Sequence, residues 1–500
     1  MLIFTRDRID AVVPLLVLSF FAFLAPARAA DSFLAVGGGN SPSNNQVSLE
    51  KNILFFQRVL TDSLGKTASA DVLFSDGMAG SRDLQFVPND DPPKVNILLA
   101  RLFGSEDEIY YRYRAHKLPA RHGPSTRRGL DEWFNGAGKK LGDGDRLFIY
   151  FTGHGGSGNP AQNTTISMWC EPVMHVKEFV GYLDRLSPKV RVVLMMVQCH
   201  SGGFAGTIFK DGKPGGELSP ARRCGFFATT FDRNAAGCTP DTVEDDYKDY
   251  STYFFAALDG KTRTGKKVPG CDLNGDGHVS FAEAHAYVLL NSDTIDIPTT
   301  TSEALLRSYS KTTGDDVAKP QMPFKTLLGK SSPLQKKVLE GLCDQLKLTS
   351  DDRFDEAKHL EEILESQRKI AEQDRSKKTE EASRLAGRIR SRLLQKWPEL
   401  SNPWHPRIAE LLKADGPKIQ TAVESDSDYA RWDLLHRDAD QLYDKALDLE
   451  RQWVKCQRCV RALTTAALAQ NLVKVASPAI VERYHQMVQD ESGTLSSPER

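Results

Sequence analysis

RLFIYFTGHGG at 146–156 and RVVLMMVQCHSGG at 191–203 decide how this chain reads. Each is an apolar run of strand length that ends in a small-residue turn. An unbroken apolar run is the mark of a parallel strand buried on both faces. Each turn carries one reactive side chain, His154 in the first and Cys199 in the second. In open α/β sheets chemistry gathers in the crevice at the carboxyl ends of the strands. One crossover with a helix expected over 176–186 separates the two runs, so their strands are expected to be close neighbours in one sheet.

Around these runs, strands and helices alternate from Phe33 onward. Strands are expected at 33–36 (ending in Gly37-Gly38-Gly39), 71–74 and 224–230, and helices at 46–64, 124–141 (capped by Ser125 or Thr126) and 250–258. The pattern predicts a three-layer α/β domain with a mostly parallel sheet over 30–260. Residues 261–318 follow as a calcium-loop segment, and the proline-containing stretch 319–335 reads as a linker. Beyond it, Trp432, Leu435, Ala439, Leu442, Ala446, Leu449 and Trp453 recur at alternating spacings of three and four, with a second helical stretch at 354–392. This is the signature of packed antiparallel or coiled-coil helices, so 336–500 is expected to be an all-α domain, structural or partner-binding.

The bulk numbers exclude some classes. With 65 basic and 66 acidic residues the net charge is -1, which gives no pull toward nucleic acid. Residues 1–29 read as an export signal: Arg6 and Arg8, an apolar run at 11–24, then Ala27-Arg28-Ala29. That run is broken by Pro14 and too short for a bilayer, so no integral membrane anchor is expected, and the mature protein is expected outside the cytoplasm, extracellular or periplasmic. There are 8 cysteines; with Cys199 kept free, an odd number remains. Cys456 and Cys459 lack the His that haem attachment needs, which leaves a disulfide to Cys343 or no role.

A cysteine attacks as the thiolate, and a neighbouring imidazole takes its proton and returns it to the leaving amine. The glycines beside both residues let a substrate approach the backbone closely. The pair FTGHGG and QCHSGG resembles the caspase-like cysteine peptidases, the group of caspases, metacaspases and legumains. The resemblance implies a caspase-like three-layer sandwich that cleaves protein or peptide substrates. By the same match Cys199 is the nucleophile, His154 the general acid and base, and the N–H groups of Gly155 and Cys199 the oxyanion hole. Metacaspases carry an acid two residues before the nucleophile, where this chain has Val197. Asp232, past the following strand, is the candidate to supply a carboxylate to the substrate pocket instead. The alternative is a catalytically inactive caspase-fold or calcium-binding scaffold.

Asp272 to Glu283 reads DLNGDGHVSFAE. Calcium takes six to eight hard oxygens, and EF-hand loops offer them at positions 1, 3, 5, 7, 9 and 12. Asp272, Asn274, Asp276, the His278 carbonyl, Ser280 and Glu283 fill those places, with Gly277 at the sharp turn. The entering side is basic and hardly helical, so a single loop-helix unit is expected, structural in the first place and able to order the substrate groove.

Overall fold

The computed structural model describes residues 30–495 apart from 105 and 119–121; the export-signal expectation on 1–29 lies outside the described residues. The sheet is built from β1 (Asp31–Gly38), β2 (Asp71–Phe74), β3 (His122–Gly123), β4 (Arg146–Gly153), β5 (Arg191–Met196), β6 (Arg223–Phe227) and β7 (Thr299–Thr300). Their order across the sheet is β7-β6-β5-β4-β1-β2-β3. All neighbours run parallel except the edge pair β6 and β7. β4 and β5 are paired directly, Leu147 opposite Val192 and Phe151 opposite Met196, as the crossover argument requires.

Alternation along the strands makes the three layers. Phe33, Ala35, Phe148, Tyr150, Val193 and Met195 face one side, where α1 (Val47–Leu64), α4 (Tyr250–Asp259), α5 (Phe281–Asn291) and α6 (Thr301–Tyr309) cover them. Leu34, Val36, Leu147, Ile149, Phe151, Val192 and Leu194 face α2 (Arg127–Asn135) and α3 (Val176–Leu183). α2 is shorter than the sequence pattern suggests. It starts at Thr126, whose hydroxyl accepts from Gly129 N–H at 3.1 Å, and stops at Gly136. The strand expected through Thr230 ends at Phe227, where the chain bends into a loop.

The helical third is less separate than its composition suggests. α7 (Arg353–Lys396) and α8 (Tyr429–Val475) form an antiparallel hairpin. Ion pairs fix its direction: Arg392 meets Asp426, Arg388 meets Asp428, Lys378 meets Asp438 and Arg368 meets Glu450. Such exposed pairs set register more than stability. Trp432, Leu435, Ala439, Ala446 and Leu449 are buried, as the heptads predict. However, Leu468 and Leu472 of α8 and Met487 of α9 (Pro478–Glu491) belong to the core under the sheet. Arg146, at the start of β4, donates to the Thr494 and Leu495 carbonyls. The stretch 319–335 is itself packed, with Phe324 and Leu327 buried in a short helix. Among the described residues no helix is long and apolar enough to cross a membrane.

Candidate active site

β1 leads to β2 and β3 on one side, and the chain then returns to β4 on the other side of β1. The carboxyl ends of β1 and β4 therefore flank the switch point of this sheet, where α/β folds open a crevice. His154 leaves β4 at that point. Its Nε2 lies 2.9 Å from the Asn44 carbonyl, in the turn after β1, and 2.9 Å from Gln46 Oε1. Two acceptors at one ring nitrogen put the proton on Nε2 and leave the lone pair on Nδ1. The Asn44 turn is itself anchored: buried Asn45 accepts from Gly39 N–H at 3.1 Å and donates to the Asp83 carbonyl at 2.8 Å.

Cys199 follows β5, and the two turns touch. A Cβ placed on Gly155 would lie 2.4 Å from the Cys199 carbonyl oxygen and 2.4 Å from Gln198 Cγ. The Cys199 sulfur accepts from Ala235 N–H at 3.3 Å. Burial pushes the thiol above its ordinary range, with the Ala235 N–H working the other way, and burial pushes the His154 imidazole below its ordinary value. Both shifts favour the uncharged form of the group concerned. No hydrogen bond joins the two among the described residues. Catalytic contacts of this kind commonly tighten only when substrate is bound. His200, next in sequence, takes a left-handed conformation (φ 59°), and its Nδ1 lies 2.8 Å from the Phe231 carbonyl.

Asp232 is exposed on the loop after β6; it accepts from Thr230 Oγ1 at 2.6 Å and lies close enough to Arg461 to favour that residue's charge. Gln46, Asn44 and, apart from Asp232, the loop 231–238 were not read from the sequence as parts of the site. The only signal for the first two is a run of amides directly after the glycine-rich end of β1.

The loop Asp272–Glu283 sits elsewhere. Phe281 at its end packs on Phe148 at 5.4 Å, near the start of β4. His154 is roughly 20 Å further along that strand, at about 3.3 Å per residue. The loop is closed by its own side chains: Asp272 accepts from Gly275 and Gly277 N–H, Asn274 from Asp276 N–H, and Asp276 from His278 N–H. Hydrogen bonds from the loop amides hold the Asp272 carboxyl below its ordinary value. Buried Glu283 accepts from Leu273, Asn274 and Ser280 N–H. The donor types suit calcium, and Glu283 must release loop amides to ligate it. Among the described residues, the single group of His, Cys, Asp or Glu side chains gathered within metal-binding reach is Asp76, Asp83 and His116. There His116 Nδ1 lies 2.7 Å from Asp83 Oδ2, and burial of the imidazole is outweighed by the Asp83 hydrogen bond, which raises its pKa. His116 between two carboxylates, 2.7 Å from Asp83 and 3.9 Å from Asp76, accounts for this cluster. Cys343 and Cys459 lie with their sulfurs 3.8 Å apart, unbonded, and Cys456 packs in a different cluster.

Residues 112–213 match the sequence profile described as the Peptidase C13 family, and the matched stretch contains both His154 and Cys199. The recognition of a caspase-like cysteine peptidase group, the one that holds the legumains, therefore stands, and it points to a cysteine peptidase acting on peptides. A solved structure of a protein from Geobacter sulfurreducens is 12% identical, covering 54% of this chain and 92% of that chain at a TM-score of 0.32, too loose a likeness to carry an argument. No curated protein matches.

Proposed function

We propose that this protein is an exported cysteine endopeptidase in which Cys199 is the nucleophile and His154 the general acid and base. One observation carries the reading. At the crevice of a parallel sheet, an imidazole with Nε2 held by Asn44 and Gln46 stands on a turn packed against the turn of the thiol. Nδ1 takes the thiol proton as the sulfur attacks the substrate carbonyl. The oxyanion accepts from the Gly155 and Cys199 N–H groups, and the imidazolium protonates the departing amine. Water, deprotonated by the same nitrogen, then releases the acyl group from sulfur. Asp232 is the proposed carboxylate of the P1 pocket, which favours a basic P1 side chain. A panel of peptidyl electrophiles varied at P1 tests this: no P1 labels Cys199 faster than it labels free cysteine if the reading is wrong.

The pH profile follows from the two shifts. The base must be neutral, so kcat/KM falls as pH drops through the His154 pKa, which burial sets below the ordinary value near about 6.5. The thiol is raised, so the plateau extends into the alkaline range. Initial rates from pH 4 to 10 check it; an acid limb centred above pH 7 contradicts it.

The proposal includes one calcium ion on Asp272, Asn274, Asp276, the His278 carbonyl, Ser280 and Glu283, stapling the end of the sheet opposite the dyad. Isolated extracellular sites bind at about 10⁻⁴–10⁻³ M, so 10 mM calcium stabilises the fold by about 1.4–2.7 kcal/mol. A melting temperature that rises with calcium in the wild type and not in Asp272→Ala is the expected result. An equal rise in both removes the site.

A further inference from the structure

The Cys199 sulfur is flanked by the loop 231–238, and a loop places a reacting group only as well as its own supports allow. Ala235 N–H donates to the sulfur at 3.3 Å, and His200 N–H ties the loop through the Arg233 carbonyl at 2.8 Å. On its outer side this loop rests on α8. The Arg233 guanidinium donates to Glu450 at 2.8 Å and lies 4.9 Å over the Trp453 ring. One residue past the sulfur contact, Ala236 N–H donates at 2.8 Å to Asp296 Oδ1, a fully buried carboxylate that also accepts from Thr294 Oγ1 at 3.0 Å.

The segment carrying Asp296 follows α5 and is clamped by α8 in turn. Arg458 is buried, and its guanidinium donates to the carbonyls of Asp296 at 2.8 Å, Ser292 at 2.9 Å, Leu289 at 3.3 Å and Thr294 at 3.4 Å. A buried cation held by backbone carbonyls is a costly device for packing one helix on a segment, where apolar side chains of equal volume would serve as well. It is suited to fixing the place of the chain it grips.

We propose that Asp296 and Arg458 are positioning residues for the nucleophile, which makes the C-terminal helix α8 a working wall of the catalytic groove. Arg458 fixes the segment that carries Asp296, Asp296 fixes the Ala236 amide, and the loop thereby keeps the Ala235 N–H on the Cys199 sulfur. An N–H donor favours the thiolate and opposes the penalty of burial. The inference rests on the peptidase reading of Cys199.

The sign of one effect separates positioning from electrostatics. The Asp296 charge disfavours a thiolate nearby, burial pushes the Asp296 carboxyl up to about 7, and Arg458 and Asp249 are the other charges acting on it. Losing that charge alone speeds alkylation of Cys199, whereas losing the support of the loop slows it. In the full chain, iodoacetamide modification of Cys199 at pH 7 is followed by mass spectrometry, with circular dichroism and melting as fold controls. Asp296→Ala is expected to slow the rate about tenfold. Asp296→Asn still accepts from Ala236 N–H and is expected to retain the wild-type rate or exceed it. Arg458→Lys reaches fewer carbonyls and is expected to slow alkylation like the alanine variant; should it fail to fold, the Asp296 pair decides. A folded Asp296→Ala variant that is alkylated as fast as wild type or faster overturns the proposal. If wild-type Cys199 shows no advantage over free cysteine toward peptidyl electrophiles, the peptidase reading itself has failed, whatever these variants do.

Discussion

Cys199→Ala is expected to lower kcat/KM for peptide hydrolysis by at least about 10⁴, because the nucleophile and its base act as one unit and neither functions without the other. The protein should nevertheless remain folded. The sulfur is half-buried, its one N–H partner is Ala235, and deleting it leaves that amide short of a single weak acceptor. Such a loss costs about 1–3 kcal/mol at most. Hydrolysis of a mixed peptide library, with melting curves for both proteins, checks both halves. The rival reading, an inactive caspase-fold scaffold, predicts no hydrolysis in either protein and partner binding that survives the substitution. Equal hydrolysis in the two proteins would place the activity on another residue.

The sheet, and the two turns that carry His154 and Cys199, were legible for the same reason. Parallel strands buried on both faces have no polar side to present, so 146–153 and 191–196 read as continuous apolar runs, and their ends are where reactive residues become accessible. The heptads of α8 were legible because seven apolar positions at regular spacing leave one seam to bury. What stayed hidden depends on contacts distant in sequence. Asn44 and Gln46 hold His154 across 110 and 108 positions, and neither lies in a pattern that local spacing can detect. Arg458 stands between Cys456 and Cys459, and its grip on the carbonyls 289–296 has no local signature. The stretch 319–335 reads as a linker from its prolines, whereas the burial of Phe324 and Leu327 in a short helix rests on contacts that composition does not show. Composition marks where character changes, and burial decides whether the pieces part.

Gly155→Ala tests the contact on which the site depends. The added Cβ would meet the Cys199 carbonyl oxygen and Gln198 Cγ at 2.4 Å and the Thr165 carbonyl oxygen at 2.7 Å. Two of these three are backbone atoms, so relief requires the His154 turn and the Cys199 turn to move apart. Overpacking of this kind typically costs about 1–3 kcal/mol of stability. The effect on catalysis is larger, because the same displacement shifts the imidazole, the sulfur and a proposed oxyanion donor together. A misplacement of about 1 Å costs on the order of 10²-fold, and a lost oxyanion donor about 10²–10³-fold. We expect kcat/KM to fall by about 10³ or more while the protein remains folded at 25 °C. Gly156→Ala is the matched control. Its Cβ would meet only the Thr165 hydroxyl, at 3.1 Å, and that side chain can rotate away. It should keep activity within about tenfold, since no backbone has to yield. Similar rates in Gly155→Ala and wild type would mean that the two turns need not touch for catalysis, and the pairing of His154 with Cys199 would lose its structural basis.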